Sequence, residues 1–264
     1  MKPYYETELG ALYHGDCLEI MPQLGQVDMI LTSPPYDNLR DYEGYSFNFY
    51  QTAWQIKRIL KNGAVCVWVV DDKIEAGSES GTSFRQALFF KAIGLKLNTM
   101  IWNKGCFTSP QKTRYPNVFE YMLIISKGTP ICNQIKDRIN IKNGSVSTHT
   151  IRKKNGETKK MYADNRKIKI GKLGVRFNVW QVNPEQSNLK RRHPAQFPER
   201  LAMDHILSWS NEGDTVLDCM TGSGTTPAAC ERLKRKWVAC EMSEKYCEIT
   251  AKRIERETKQ MKLF

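Results

Sequence analysis

Two stretches of the 264-residue chain combine residue types that could carry out chemistry. The first is "VDMILTSPPY" (27–36), where an apolar run typical of a buried strand ends in Ser33, Pro34, Pro35 and Tyr36. Prolines cannot continue the hydrogen-bond ladder of a central strand, so the strand must end in a rigid, extended turn. Such a turn can hold a hydroxyl, a carbonyl and an aromatic ring in place. The alternative is a proline-terminated strand with a capping serine and a core tyrosine.

The second stretch is "VLDCMTGSGTT" (216–226), in which a strand ends at Asp218 and a glycine turn leads into a helix. Gly222 and Gly224 would let the backbone pass close to a ligand. The next strand, "KWVACE", ends at Glu241, where a carboxylate suits the hydroxyls of a ribose. A pyrophosphate would be repelled by Asp218, whereas a cationic amino group would be attracted. The pattern therefore predicts a nucleoside cofactor with an ammonium group, such as S-adenosylmethionine; a purely structural glycine turn is the alternative.

Strand and helix patterns alternate along the chain, which predicts an α/β sheet covered on both faces. Short apolar runs predict strands at 11–15, 27–32, 63–70, 97–104, 118–126, 214–219 and 236–241. Amphipathic stretches predict helices at 47–60, 83–94, 199–210, 225–235 and 243–257. This arrangement places Asp218 and Glu241 at the carboxyl end of a parallel sheet.

The positive charge of the chain is concentrated in one segment. The formal net charge is +12, and the residues from Lys127 to Glu185 include 14 Lys and Arg against four Asp and Glu. This segment is polar, contains several glycines and has no sustained period, which predicts an insertion at about 128–190. Its charge is typical of contact with a nucleic-acid backbone; a solvated surface without a partner is the alternative.

Composition argues against several other classes. A chain of this length can bury one substantial core with a subdomain attached. No apolar run approaches membrane-spanning length and "MKPYYETELG" lacks a signal-peptide core, so we expect an intracellular protein with no membrane partner. The eight cysteines form no CxxC pair and only four histidines accompany them, so we expect reduced, structural cysteines and no metal.

Together, "TSPPY" and the later "LDCMTGSGTT" resemble the amino-methyltransferases of DNA, in their circularly permuted β-type order. In that order the catalytic motif precedes the target-recognition region, and the cofactor motif comes last. The segments "YHGDCLEIM", "GTSFRQALFF", "HPAQFPERL" and "EMSEKYCEITAKRI" also fall in the expected sequence, so the resemblance covers nearly the whole chain. It implies a Rossmann-like fold with a seven-stranded, mainly parallel sheet. The catalytic and cofactor-binding domain would span 1–127 and 191–264, and the target-recognition insertion 128–190.

The resemblance implies transfer of a methyl group from S-adenosylmethionine to an exocyclic amino group of double-stranded DNA. That nitrogen is a poor nucleophile because its lone pair is delocalised into the base, so acceptors must draw on its N–H groups. The Ser33 hydroxyl and the Pro34 carbonyl would be these acceptors, and Pro35 would keep the turn rigid. Tyr36 would stack on a base flipped out of the duplex. Methylation at cytosine carbon 5 would need a Pro-Cys nucleophile, which the chain lacks.

The resemblance also implies the residues that bind the cofactor. Asp218 would meet the methionine ammonium, and Glu241 the ribose hydroxyls. Asp16 would contact the adenine amino group, or else only cap a helix. His193 would line the pocket, or else only cap and pack. The full set is Asp16, Cys17, His193, Phe197, Asp218, Met220, Gly222, Ser223, Gly224, Thr225 and Glu241.

Two features of the motifs bear on activity and on the target base. The family usually has "DPFxGSGTT", whereas Cys219 and Met220 replace its proline and phenylalanine here. Methionine can fill that space and contact an adenine face, so we expect the cofactor to bind, with lower affinity; a non-catalytic DNA-binding relative is the alternative. Ser33, in place of an aspartate, resembles the cytosine-N4 enzymes, so we expect cytosine N4, with adenine N6 as the alternative.

The remaining expectations concern partners. Double-stranded DNA is the expected substrate, together with a cognate restriction endonuclease, for a monomer or homodimer in the cytoplasm. RNA or protein-glutamine methylation is disfavoured because such relatives carry the cofactor motif before an "NPPY"-type motif. The residues expected to contact DNA are Arg152, Lys153, Lys154, Lys159, Lys160, Arg166, Lys167, Arg191 and Arg192.

Overall fold

The computed structural model describes residues 1–35, 47–106, 112–147, 150–160, 168–184 and 197–261. These residues form two compact units, Met1–Asn133 together with Asn178–Phe264, and Gln134–Phe177. The second unit lies inside the segment expected to be an insertion and is shorter than it at both ends. Among the residues described, no helix combines the length and the apolarity that crossing a membrane requires.

The helices and strands follow one another in the order that the sequence predicts for an α/β protein. The helices are α1 (Cys17–Ile20), α2 (Phe49–Ile59), α3 (Thr82–Ala92), α4 (Glu199–Trp209), α5 (Thr225–Arg232) and α6 (Glu244–Met261). The strands are β1 (Tyr5–Glu6), β2 (Gly10–His14), β3 (Val27–Thr32), β4 (Leu60–Val70), β5 (Ile74–Glu75), β6 (Ser78–Glu79), β7 (Lys96–Asn103), β8 (Phe119–Ser126), β9 (Lys136–Ile139), β10 (Val146–Ser147), β11 (Thr150–Arg152), β12 (Thr158–Lys160), β13 (Ile168–Lys169), β14 (Leu173–Val175), β15 (Val179–Gln181), β16 (Thr215–Asp218) and β17 (Lys236–Glu241).

The first unit is built on a mainly parallel sheet with strand order β1-β2-β17-β16-β3-β4-β8-β7-β15. The run from β2 to β4 is parallel, and β8 is antiparallel to both of its neighbours. The predicted fold class is confirmed. The sheet has nine strands rather than the expected seven because β1 and β15 extend its edges. Strands of two or three residues are too short to show a periodic pattern, so the sequence did not reveal them.

Helices cover both faces of this sheet, as the alternating pattern predicted. Contacts join α2 and α3 to β4, β7 and β8, whereas α4, α5 and α6 pack together and against strands β2, β3, β4, β16 and β17. Helix α2 begins because the side chain of Asn48 accepts a hydrogen bond from the Gln51 N–H at 3.1 Å. Its apolar stripe is buried under the sheet, close to the fully buried Trp68. Phe49 and Phe90 lie edge-on to the Trp68 ring at 5.9 and 5.5 Å between ring centroids.

The strands that carry the two chemical motifs are neighbours in the middle of the sheet. Strand β3 lies between β16 and β4, and β16 lies between β17 and β3. Since these strands are parallel, Ser33, Asp218 and Glu241 emerge at one edge, the carboxyl edge. The residues of β3 and β16 are almost entirely buried, which explains their continuous apolar sequences.

The second unit contains three short antiparallel pairs nested along the chain. β9 pairs with β14, β10 with β13, and β11 with β12, which is the order of a single long hairpin that turns at 153–157. This hairpin does not bury an apolar face, because the side chains of Ile139, Ile141 and Val146 are all largely exposed. The alternation of apolar and polar residues that marks a half-buried strand is therefore missing, and the sequence showed no period here.

One close approach between strands gives a test of this fold. A Cβ atom on Gly10 of β2 would lie 2.1 Å from the Trp237 carbonyl oxygen and 2.4 Å from its ring on β17. We expect Gly10→Ala to lower the free energy of unfolding by about 1–3 kcal/mol, the usual cost of overpacking. Urea denaturation measures the change. Gly25→Ala is the matched control, because no atom lies within 4 Å of its added Cβ. Equal midpoints for the two variants would contradict the pairing of β2 with β17.

Candidate active site

The two motifs meet where β3 and β16 end side by side. The Cys219 thiol donates to the Thr32 hydroxyl at 3.7 Å between sulfur and oxygen. From the first turn of α5, the Thr226 hydroxyl donates to the Leu31 carbonyl at 3.4 Å. Pro34 is buried and Ser33 and Pro35 are half-buried directly beyond these contacts. Thr32 and Cys219, which are 187 residues apart in the sequence, are therefore in contact at the carboxyl edge of the sheet.

Asp218 ends β16 with its carboxylate almost completely removed from solvent, at 3% exposure. Burial raises its pKa to about 6, although hydrogen bonds from the Thr226 and Thr32 hydroxyls and from the Met220 N–H act in the opposite direction. The Met220 N–H donates to the carboxylate at 3.2 Å. Within the described residues Asp218 takes part in no ion pair. The groups that hydrogen bond to this buried carboxylate are thus neutral dipoles.

Glu241 ends the neighbouring strand, and its carboxylate binds the backbone of the glycine turn. One oxygen accepts from the Gly222 N–H at 2.8 Å and the other from the Ser243 N–H at 3.0 Å. Burial raises the pKa of Glu241 to about 7, with the charge of Asp218 contributing, while these two N–H groups lower it. Its main-chain carbonyl accepts from the Gly15 N–H at 2.9 Å, so the strand ends of β2 and β17 are joined.

The turn "TGSGT" requires glycine at two positions. Gly222 and Gly224 have φ angles of 55° and 77°, in the left-handed region that side chains disfavour. A Cβ on Gly224 would also lie 2.8 Å from the Thr250 side chain. The Thr250 hydroxyl donates to the Gly222 carbonyl at 2.9 Å, and a guanidinium nitrogen of Arg253 donates to the Thr225 hydroxyl at 3.0 Å. Sequence reasoning missed both α6 residues, since no local motif links them to the turn.

The structure bears on the alternatives for Asp16 and on the substituted motif positions. Asp16 caps α1, because its carboxylate accepts from the Leu18 N–H at 2.8 Å. Cys219 is buried next to Cys17; a hydrogen bond between these thiols and burial raise the pKa of Cys219 well above its usual value. Met220 is partly buried and packs against the main hydrophobic cluster. The small thiol thus fills the space between α1 and β3, and the methionine stays beside the core.

The other predicted residues fall into three groups. Phe197 is buried two residues before the start of α4. On the second unit, the backbone of Lys160 lies in β12, and four side chains are exposed, those of Arg152, Lys153, Lys154 and Lys159. Six predicted residues lie outside the described residues, namely Tyr36, Arg166, Lys167, Arg191, Arg192 and His193.

A second polar cluster at the same edge was not predicted. Asp71 follows β4, the strand next to β3, and accepts from the Asn117 amide at 3.1 Å. The Lys104 ammonium lies 3.8 Å from the Asp71 carboxylate and 3.3 Å from that of Glu120. Burial raises the pKa of Asp71, opposed by these partners. The acidic pair "DD" directly after the buried strand "VCVWVV" was the signal that could have located this cluster.

This arrangement fits a cationic nucleoside rather than a phosphate. Two carboxylates, Asp218 and Glu241, are held at neighbouring strand ends with raised pKa values. A positive group would relieve that electrostatic cost, whereas a phosphate would increase it. The left-handed turn exposes no side chain at Gly222 or Gly224, which leaves backbone for close approach. The residues present therefore fit S-adenosylmethionine, with its ammonium, sulfonium and ribose.

Comparison with known proteins places the chain in a family. A family model for DNA methylases, N6_N4_Mtase, matches residues 27–252. The chain therefore belongs to the S-adenosylmethionine-dependent amino-methyltransferases of DNA, the family whose members modify cytosine N4 or adenine N6. The family, the Rossmann-like fold and the cofactor that the sequence predicted are confirmed.

The individual relatives agree with this placement. The chain is 46% identical over 250 residues to the orphan methyltransferase M.BamHII of Bacillus amyloliquefaciens, covering 91% of this chain and 90% of that protein. It is 28% identical to the type II methyltransferase M.ScaI of Streptomyces caespitosus, covering 98% and 86%. Among solved structures, the PvuII cytosine-N4-specific DNA methyltransferase has a similar fold, with a TM-score of 0.71 at 22% identity, covering 98% of this chain and 93% of that one.

The raised pKa of Glu241 predicts a particular pH dependence of stability. The folded carboxyl holds its proton up to about pH 7, whereas the unfolded one releases it near 4.5. This group therefore makes the free energy of unfolding fall as the pH rises through that window. We expect Glu241→Gln to reduce the fall between pH 5 and pH 8 by up to about 3 kcal/mol, as measured by urea denaturation.

The control for this measurement is Glu244→Gln. Glu244 is an exposed carboxyl in the first turn of α6, three residues along the chain. We expect this variant to keep the pH dependence of the wild type. A Glu241→Gln variant with the same pH dependence as the wild type would contradict the burial of a titrating carboxyl at this strand end.

Proposed function

We propose that the chain is a site-specific DNA methyltransferase that methylates the N4 amino group of a flipped-out cytosine. The contact between the two motifs supports this most directly: Cys219 and Thr226, of the cofactor motif, hydrogen bond to Thr32 and Leu31, which directly precede Ser33. A methyl donor held against Asp218 would then lie beside the acceptors after β3. S-adenosylmethionine supplies an electrophilic methyl group on a sulfonium.

In this proposal the chain's own residues prepare the amino nitrogen. The Ser33 hydroxyl and the Pro34 carbonyl accept hydrogen bonds from its two N–H groups, which favours a pyramidal nitrogen with an available lone pair. Pro34 is buried and Pro35 half-buried, so the carbonyl is held in place before the base arrives. No covalent bond to the enzyme is needed: the new nitrogen–carbon bond would form as the donor's sulfur–carbon bond breaks, and the nitrogen would release one N–H proton to solvent. Tyr36 is proposed to stack on the flipped base.

The cofactor residues follow from their positions at the carboxyl edge. Asp218 is proposed to meet the ammonium group, because its buried charge has no ionic partner among the described residues. Each oxygen of the Glu241 carboxylate has a further lone pair, and we propose that these accept hydrogen bonds from the ribose hydroxyls. Asp16 is proposed to use its other oxygen for the adenine amino group while it caps α1. The remaining proposed contacts come from Cys17, His193, Phe197, Met220, Ser223 and Thr225, together with both glycines of the turn.

The choice of base rests on the neutral side chain of Ser33. A hydroxyl is a weaker acceptor than a carboxylate, and we propose that it suffices for the amino group of cytosine. Adenine N6 is the second candidate, since both reactions need the same pair of acceptors. The two bases also differ in size, so a site that fits one in line with the methyl donor positions the other less well.

Nucleoside analysis of methylated DNA tests both the activity and the base. We expect DNA incubated with labelled S-adenosylmethionine and the wild type to yield N4-methylcytosine. Ser33→Ala should lower kcat/KM about 100- to 1,000-fold, because it removes an acceptor used in the transition state. Ser78→Ala, at an exposed serine of β6, is the control and should keep full activity. Label in N6-methyladenine alone would overturn the cytosine assignment; no label at all would favour a non-catalytic relative.

DNA recognition is assigned to the second unit, Gln134–Phe177. This stretch contains 13 Lys and Arg against three Asp and Glu, so it contributes ten of the twelve net positive charges. Two of its acids are already paired: Asp137 with Arg176, and Glu157 with Lys153. The unit has the nested pairing of a two-stranded β-ribbon, and the major groove of B-DNA accommodates such a ribbon. We propose that its cations contact phosphates and that the ribbon reads base edges.

Salt dependence of DNA binding tests this assignment. The triple variant Arg152→Ala, Lys154→Ala, Lys159→Ala removes three exposed cations near the turn of the ribbon. We expect the slope of log affinity against log salt to become shallower by about 2 to 3, because fewer counterions are released. The matched control removes three lysines of α6, Lys245, Lys252 and Lys259. An equal change in both triple variants would show that net charge alone governs binding.

The proposed setting is the cytoplasm, where the enzyme would act on chromosomal DNA as a monomer or a homodimer. Several relatives are named type II methyltransferases, which supports a cognate restriction endonuclease as a partner. The 46% identical relative is instead named an orphan methyltransferase, which supports action without one.

A further inference from the structure

Helix α6 holds the buried glycine turn through two of its side chains, those of Thr250 and Arg253. The Thr250 hydroxyl donates to the Gly222 carbonyl at 2.9 Å. One turn further along α6, a single guanidinium nitrogen of Arg253 donates to the Thr225 hydroxyl at 3.0 Å and to the Ser223 carbonyl at 3.4 Å. Arg253 is only 8% exposed, so these hydrogen bonds are shielded from solvent.

The same arginine also holds the beginning of α4. Its second guanidinium nitrogen donates to a carboxylate oxygen of Glu199, the first residue of α4, at 3.1 Å. Phe197, buried two residues earlier, belongs to the segment proposed to line the cofactor pocket. One side chain thus joins the turn of the "GSGTT" motif to Glu199 of the "HPAQFPERL" segment, through geometry that a planar, forked cation can satisfy.

The network continues from α4 to α5 and returns to α6. The other Glu199 oxygen pairs with Arg232, whose guanidinium also donates to Glu257 at 2.6 and 2.8 Å. Glu257 lies on α6 one turn after Arg253, and both are buried. This chain of two arginines and two glutamates therefore links three helices.

Buried ion pairs are weak contributors to stability, because desolvation of the charges offsets their attraction. An arginine buried here costs solvation energy that an apolar side chain of the same size would not. Three of its hydrogen bonds fix the position of main-chain or side-chain groups in two separate segments. Such an arrangement therefore fixes the positions of these groups more than it stabilises the fold. A binding site that is already ordered loses less conformational entropy when its ligand binds.

We propose that Arg253 is a positioning residue for cofactor binding, which holds the Gly222–Thr225 turn and the start of α4 together before the cofactor binds. The proposal rests on the cofactor site assigned above. Arg253 contacts no reacting atom and acts through Ser223, Thr225 and Glu199. Its loss should weaken ground-state binding of the cofactor and leave the methyl-transfer step itself largely unchanged.

Calorimetric titration with S-adenosylmethionine, without DNA, tests the proposal. We expect Arg253→Met to raise the Kd at least about tenfold, the KM for the cofactor to rise with it, and kcat at saturation to stay within about threefold. Hydrogen exchange of the 222–225 amides should also be faster in the cofactor-free variant than in the wild type. Arg253→Lys keeps one cationic contact and should recover part of the affinity.

Arg232→Met is the matched control, since it removes the other arginine of the network without touching the turn. We expect it to lower the unfolding temperature while the cofactor Kd stays within about twofold of the wild type. If Arg232→Met weakens the cofactor as much as Arg253→Met, the effect reflects helix stability and the positioning role is wrong. Unchanged affinity in Arg253→Met would also overturn it.

Two further measurements keep the test decisive. If Arg253→Met does not fold, Thr250→Val removes only the hydroxyl that holds the Gly222 carbonyl, and it should raise the Kd severalfold; an unchanged Kd would count against a turn held by α6. If the wild type itself binds no S-adenosylmethionine, the proposed cofactor site fails. If the wild type and all these variants bind S-adenosylmethionine with the same Kd, the proposed cofactor site stands and only the positioning role of Arg253 is wrong.

Discussion

Two carboxylates, the buried one of Asp218 and the half-buried one of Glu241, lie at the ends of neighbouring parallel strands, and much of the site is arranged around them. Charge at this depth is costly, as their raised pKa values indicate. The chain lessens the cost with neutral dipoles: threonine hydroxyls for Asp218, and the N–H groups of Gly222 and Ser243 for Glu241. The residual negative potential is what a cationic nucleoside can use. The carboxylate of Glu241 binds the glycine turn, and in our proposal it also contacts the ligand.

The packing around the end of β16 explains how the chain accommodates the two substituted motif positions, Cys219 and Met220. Cys219 replaces a residue that the family usually has as proline, and its thiol contacts Cys17 below and the Thr32 hydroxyl beside it. A thiol can donate weakly and pack as a small apolar group, so it joins α1 to β3 without adding a charge. Met220 remains against the hydrophobic cluster. The substitutions are thus accommodated by packing in the described structure.

The two compact units differ in how much apolar surface they bury. The first depends on a buried sheet and on helices that cover both faces, which is why a rigid site can form at its edge. The second has exposed apolar side chains and a main-chain ladder, and nearly all of the net charge of the chain. A unit of that kind has little to gain from burial alone and suits a partner whose surface is uniformly negative.

The sequence by itself determined the order of elements and both motifs, because these depend on local patterns. Strands β3 and β17 have the predicted bounds, since unbroken apolar runs between turn residues mark buried parallel strands. It likewise predicted the acidic strand ends Asp218 and Glu241. The family and its cofactor followed from residue types in sequence order.

Only the tertiary structure decided which distant residues support those motifs. Thr250 and Arg253 lie 25 or more residues beyond the turn that they hold, Glu199 joins the same network from another helix, and Asp71 meets Lys104 and Asn117 across three strands. The edge strands β1 and β15 and the nested ribbon were also invisible, being too short or too exposed for a hydrophobic period. Pairing between remote segments depends on the global packing of the sheet, and no local spacing in the chain encodes it.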